Sequence, residues 1–213
     1  MKPVLMGPSY SVYVRIARLA LIEKGVDYDH TEFDVFDRSD WPADWLKRQP
    51  FGLVPTFEHD GFRLYEARAI TRYVEEAFDG PPLEPTRATE LARMEQVISV
   101  LDGQAYRPMV RAVFVQALER ARKLDYDAEA IAEALPRTAR CLAALAELLG
   151  DQTYFAGAAF SRADAQAVPM FQYFLFAEEG QQQLQAHPNL ERWWTQVSAR
   201  SSVKSTYTAP DVP

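Results

Sequence analysis

The stretch FGLVPTFEHDGFRLYEARAITRYVEEAF spans residues 51–78 and changes its periodicity part-way along. VPTFE at 54–58 mixes β-branched, aromatic and proline residues and reads as a strand. Asp60-Gly61 follows, a dipeptide suited to a tight hairpin turn, and FRLY at 62–65 returns as a second strand. From there the period lengthens. Ile70, Val74, Ala77 and Phe78 stand at i, i+4, i+7 and i+8, one face of a helix over 67–78. Glu66-Ala67 therefore marks a strand-to-helix junction. A helix N-terminus offers unbonded N–H groups and a positive dipole end, so a carboxylate can bind there. Glu66 also suits the first turn of a helix for its own sake.

The residues before this stretch alternate in the same way. PVLMG is a short apolar run ahead of a Gly-Pro break and reads as a strand. Residues 11–24 read as a helix with two apolar stripes, Val12, Ile16, Leu19 and Val14, Ala17, Leu21, so it is expected to be buried on much of its circumference, with Gly25 as C-cap. Ser9, Tyr10, Ser11 and Tyr13 crowd hydroxyls into the loop that opens this helix. YDHTEFDVF is a second strand candidate, and PADWLKR at 42–48 a short helix with Pro42 at its first position. The order is β-α-β-α-β-β-α.

DGPPLEPT at 79–86 then reads as a linker. Beyond it the pattern is helical. Leu91, Met94, Ile98 and Leu101 keep helical spacing, Tyr106-Arg107-Pro108 is expected to interrupt it, and Val110, Val113, Phe114, Ala117 and Leu118 resume it. An Ala/Leu-rich helix over 128–149 ends at Gly150, Ser161 and Asp164 form a capping box, and Leu190, Trp193, Trp194 and Val197 make a last apolar face with one tryptophan buried. The tail from 201 to 213 has no periodicity and two prolines, and is expected to be loose.

Composition removes several function classes. Hydrophobic residues are 48% of 213, enough for a real core. The charge balance is 23 basic against 30 acidic residues, a net −7, with no basic patch, which argues against nucleic acid and anionic membrane as partners. No apolar run approaches the roughly 18 residues of a membrane span, and the N-terminus lacks the apolar core of a secretory signal. The single cysteine, Cys141, excludes an internal disulfide and a CxxC pair, and fits a reducing, cytoplasmic compartment. Three scattered histidines give a metal site little to be built from.

Four segments in order resemble the cytosolic glutathione transferase family, its serine-type, bacterial-like members in particular. Gln49-Pro50-Phe51-Gly52-Leu53-Val54-Pro55 with Glu66-Ala67-Arg68-Ala69-Ile70 is similar to the family's glutathione-binding segment. SVYVRIARLALIEKG at 11–25 resembles its first loop and helix, YFAGAAFSRAD at 154–164 its capping box, and HPNLERWWTQVSAR at 187–200 its penultimate helix. The resemblance implies a thioredoxin-like α/β domain over residues 1–80, a linker at 81–86 and an all-α helical domain over 87–213. It implies a cis Val54-Pro55 bond that turns the Val54 backbone toward the cysteinyl part of glutathione, as an added strand would pair. Glu66 would take the γ-glutamyl ammonium, the Ala67 amide its carboxylate, and Leu53 would lie at the glycine end. Ser11, with Ser9 as second choice, would donate a hydrogen bond to the glutathione thiolate; a serine there would cap the helix in any case. Tyr10, Tyr106, Val110 and Phe114 would shape the electrophile pocket, where ordinary helix packing is the competing reading of the last three. Asp102 would either reach a neighbouring subunit's glutathione or be a solvated acid.

The implied activity is conjugation of glutathione, as substrate, to a small hydrophobic electrophile by a cytoplasmic homodimer without a metal. Two departures from the family pattern stand out: Ala67 where a serine is usual, and Leu53 where a lysine or glutamine often stands. A third place, near residues 40–45, shows no assignable basic residue, with Lys47 and Arg48 close by. These departures keep open a non-catalytic binding or scaffold protein of the same fold, besides a glutathione-dependent lyase or isomerase.

Overall fold

A computed structural model describes residues 1–210 and 212. Its contacts divide the chain into one unit of residues 1–83 with 201–209, and a second built on residues 84–200.

In the first unit, β1 (Val4–Met6), α1 (Val12–Lys24), β2 (Asp29–Thr31), α2 (Trp45–Arg48), β3 (Thr56–His59), β4 (Phe62–Tyr65) and α3 (Ala67–Ala77) follow the expected order. The sheet runs β2-β1-β3-β4. β1 pairs in parallel with β2, which requires a crossover, and α1 supplies it. β1 and β4 flank β3 antiparallel, with Leu5 and Leu64 both opposite Phe57. The hairpin turn has φ of 49° at Asp60 and 79° at Gly61, the positive pair that matches the twist of its strands. β2 is shorter than the nine-residue strand candidate YDHTEFDVF, because Phe33 onward leaves the sheet and packs with Met6 and Trp45. The short helix likewise starts three residues after Pro42.

Both stripes of α1 are buried, and Arg15 and Lys24 with them. The reason is that α1 packs on α3 and also on a further helix, α10 (Ser201–Thr206). The tail is thus not loose up to this point. Arg15 donates from Nε to the Thr206 carbonyl at 3.1 Å and lies 5.4 Å from the Tyr207 ring, and Ser202 Oγ donates to Glu23. These contacts are long-range, so no local period announces them. Gly25 ends α1 at φ 78°.

The second unit is helical: α4 (Ala88–Val100), α5 (Val115–Ala121), α6 (Ala128–Leu149), α7 (Arg162–Phe174), α8 (Glu178–Gln185) and α9 (Pro188–Ser198). Tyr106-Arg107-Pro108 does not break the chain between α4 and α5. Leu101–Ala105 and Arg107–Phe114 continue as π-helix, a wider turn. Pro108 has no N–H to give a carbonyl of the preceding turn, and the wider turn accommodates it; Cys141 Sγ donates to the nearby Gln104 carbonyl at 3.4 Å. Asp102 is half-buried and accepts a 2.6 Å bond from Gln166, so it is not a solvated acid.

α7 is the centre of this unit; of its residues only Gln172 escapes burial. The Ser161–Asp164 capping box is present, with Trp193 buried and Trp194 half-buried. Asp164 also gathers more distant donors: Phe155 N at 3.1 Å and Trp193 Nε1 at 2.8 Å meet one carboxylate oxygen, Ser161 N at 2.9 Å and Ser161 Oγ at 2.6 Å the other. Among the described residues no helix is long and apolar enough to cross a membrane. Asp164→Ala would orphan these buried donors together, and urea unfolding is expected to show a loss of about 3–5 kcal/mol. A loss below about 1 kcal/mol would mean that the capping box alone accounts for this residue.

Candidate active site

Gly7 closes β1 with φ 136°, and the backbone passes so close to its neighbours that a Cβ there would sit 2.7 Å from Val14 Cγ2 and 3.0 Å from Val54 Cβ. The start of α1 and the Val54 loop therefore meet over a residue without a side chain. Val54 is half-buried on the Met6–Phe33–Trp45 cluster, and its bond to the buried Pro55 is cis. Among the described residues, no backbone hydrogen bond engages the Val54 amide or carbonyl. Leu53 beside it is 57% exposed.

Ser11 is the N-cap of α1, half-buried, with φ −66° and ψ 131°. Its Oγ accepts from Val14 N at 3.5 Å, the outer edge of a hydrogen bond, so the cap makes little demand on the hydroxyl. Ser9 is differently placed. Its N–H and its O–H both donate to Glu32 Oε1, at 2.8 and 2.5 Å. Partial burial pushes the Glu32 carboxyl up, but the two Ser9 bonds, helped by His30 and Arg18, outweigh it and hold it below the ordinary value. A depressed carboxyl stabilises the fold above its unfolded value, and this contribution fades as acid protonates it. The Tyr10 hydroxyl donates to Asp34 at 3.1 Å, and its ring lies parallel to Phe36, centroids 6.4 Å apart.

Glu66 has φ 71° and ψ 114°, a conformation that costs a non-glycine residue about 1–3 kcal/mol. Its carboxylate is exposed and has no hydrogen-bond partner among the described residues. Ala67 is buried and opens α3 directly after it. Arg48 is committed to carboxylates, Asp44 at 2.8 Å and Glu58 at 3.4 Å, whereas Lys47 is exposed. Ser9, Tyr10, Ser11, Leu53, Val54, Pro55, Glu66 and Ala67 all belong to the first unit.

Tyr106, Val110 and Phe114 belong to the second unit and face different surroundings there. Phe114 is buried and stacks on Tyr173 at 4.3 Å with an interplanar angle of 9°. Val110 is buried as well. Tyr106 is half-buried; burial pushes its hydroxyl up in pKa, while the Arg111 guanidinium opposes that.

Sequence reasoning missed Gly7, His30, Glu32 and Phe36. The Gly-Pro break was visible, but the crowding that demands glycine is a three-segment contact. Glu32 and Phe36 sit within a run read as strand, where their partners could not be seen.

The first of two family models, the glutathione S-transferase N-terminal domain, matches residues 5–82, and the second, the C-terminal domain of the same family, matches residues 84–201. The chain belongs to the glutathione S-transferase family. Its relatives include glutathione S-transferase 4 of Zea mays, 31% identical over 199 residues (91% of this chain and 86% of the relative), and glutathione S-transferase F7 of Arabidopsis thaliana, 26% identical over 203 residues (94% and 96%). Among solved structures, glutathione transferase F2 from Populus trichocarpa superimposes with a TM-score of 0.83 at 28% identity, covering 96% of each chain.

Replacing Glu66 by glycine removes the conformational cost at this junction but loosens the unfolded chain. Chemical unfolding of Glu66→Gly is expected to give a stability equal to wild type or higher by up to about 1 kcal/mol. A clear loss would mean that the Glu66 side chain stabilises the fold and that its backbone stores no strain.

Proposed function

We propose that this glutathione transferase conjugates the glutathione thiolate to small hydrophobic electrophiles, with Ser11 as the donor that stabilises the thiolate. The observation that carries the reading is the loose cap of Ser11: at 3.5 Å its oxygen gives little to Val14, and its proton is available to an anion outside the helix. The Ser9 hydroxyl donates its hydrogen bond to Glu32, which supports Ser11 over Ser9 in this role.

Glutathione lies along the Val54 loop. Its cysteinyl amide and carbonyl pair with the Val54 backbone, extending the chain in the manner of an added strand. Its γ-glutamyl carboxylate meets the Ala67 amide at the start of α3, and the ammonium meets Glu66. The missing hydroxyl at Ala67 costs on the order of 1 kcal/mol of binding. Leu53 offers the glycine end only its backbone.

A free thiol has a pKa near ~8.5 and is mostly protonated at neutral pH. The Ser11 O–H and the positive end of α1 both favour the anion, and the proton leaves to solvent. The sulfur then forms a bond to the electrophilic carbon, and the displaced group departs with its bonding electrons, as chloride from a chloronitrobenzene. Ser11 donates throughout and is neither nucleophile nor base. The parallel Tyr10–Phe36 pair in the same unit suits a flat aromatic electrophile. Pairing as a homodimer and a cytoplasmic location complete the reading. Both follow from the family resemblance, and the single cysteine is in keeping with a reducing compartment.

Steady-state kinetics with a chloronitrobenzene test this directly. Ser11→Ala is expected to lower kcat by about 100-fold near neutral pH, with KM for glutathione changed by less than about 3-fold. An unchanged kcat would reduce Ser11 to a helix cap.

A further inference from the structure

Three consecutive residues at the end of β2 grip the loop that carries Ser11. Thr31 accepts from Gly7 N at 3.0 Å through its carbonyl. The His30 ring places Nε2 2.7 Å from the Gly7 carbonyl; a carbonyl only accepts, so that nitrogen carries the proton. Glu32 takes both donors of Ser9. Ser11 N closes the loop on the Pro8 carbonyl at 3.0 Å. Nothing in the transferase chemistry just described uses Glu32 or His30. A carboxylate beside a thiolate is moreover a liability, since like charges raise a thiol's pKa.

We infer that Glu32 is a positioning residue: it clamps Ser9, with His30 holding Gly7, so that the Ser11 hydroxyl stays aimed at the glutathione sulfur. The inference rests on the reading of Ser11 as the thiolate's donor. Its geometric basis is that Gly7 and Ser9, four and two residues before Ser11, are fixed from one short segment, while the cap bond of Ser11 itself is slack. Arg18 on α1 and His30 on β2 are the charged and titratable groups that act on Glu32, and both favour its ionised form. The clamp is therefore formed throughout the neutral range.

The sign of one effect separates positioning from simple charge. Glu32→Gln keeps the side-chain shape and one acceptor oxygen but weakens both Ser9 bonds. If Glu32 acts only as a nearby charge, neutralising it lowers the pKa of the bound thiol. If it positions Ser11, the pKa rises. The measurement is the ultraviolet absorbance of the glutathione thiolate in the protein complex, titrated with pH, for wild type, Ser11→Ala, Glu32→Gln, Ser9→Ala and the Ser9→Ala/Glu32→Gln double variant. Thermal melts and glutathione affinity are recorded alongside.

Glu32→Gln is expected to raise the midpoint by about 0.5–1 pH unit, which is about a 3- to 10-fold smaller acid dissociation constant for the bound thiol. Its glutathione affinity at about pH 7 is expected to fall by no more than about that same 3- to 10-fold, the loss falling on the thiolate form. The double variant is expected to rise no further than the larger single one, because the two residues act as one clamp. A midpoint that falls or stays in place in Glu32→Gln while Ser11→Ala raises it would overturn the clamp and leave Ser11 its role. Shifts that simply add in the double variant would overturn it too. A Ser11→Ala midpoint equal to wild type would instead remove the reading on which the clamp rests.

Discussion

At Gly7 the backbone of β1 comes within van der Waals reach of Val14 on α1 and of Val54 in the loop before β3. A methyl group at Gly7 would stand 2.7 Å from one and 3.0 Å from the other, and the φ of 136° is open to glycine and to little else. The amide and carbonyl of Gly7 are bonded to Thr31 and His30. Three segments far apart in sequence are thereby fixed around one residue. In the proposed site, the N-terminus of α1 would face the ligand with Ser11 and the loop with the Val54 backbone, while the end of β2 holds Gly7 and Ser9. Separating these backbones by a side chain's width would leave each part intact but take apart the proposed site.

The chain is acidic, yet its proposed ligand has two carboxylates and a thiolate against one ammonium. In the proposed binding mode the first unit would meet this with oriented backbone more than with lysine and arginine. Arg48 is already shared between Asp44 and Glu58. The positive ends of α1 and α3 remain, each worth about 0.3–1 kcal/mol to an anion at an exposed site and up to ~2 kcal/mol where the end is partly buried. An exposed ion pair is worth a comparable ~0–1 kcal/mol and is lost to salt. Helix ends cannot rotate away and cost no side-chain entropy, so they also set direction. The strained backbone of Glu66 belongs to the same design, since it places a carboxylate beside the first amides of α3.

Much of this was legible in the sequence because it is local. The Asp60-Gly61 turn, the period change at Glu66-Ala67, the two stripes of α1 and the Ser161–Asp164 box each depend on residues a few positions apart. What escaped depends on distant partners. Pro108 reads as a helix breaker until the segment around it is seen to continue as π-helix, packed against α6. The tail reads as loose until Arg15 is found bonded to Thr206. Phe33 leaves the strand pattern because Met6 and Trp45 offer it a core. At the site, the sequence places Ser11 ahead of Ser9, but the Ser9–Glu32 bond that engages the other hydroxyl is not visible there. The φ of Glu66 leaves no trace in residue type, since glutamate is an ordinary residue at the start of a helix.

The central claim is that the wild-type protein holds glutathione as its thiolate. Calorimetric titration of glutathione at pH 7 in two buffers of different ionisation enthalpy measures the protons exchanged on binding. S-methylglutathione, which has no thiol proton, is the control. Release of close to ~1 proton per glutathione bound is expected, and none for the methylated peptide. Binding of both peptides with no proton released would show a site that takes glutathione as the neutral thiol, and would contradict the account.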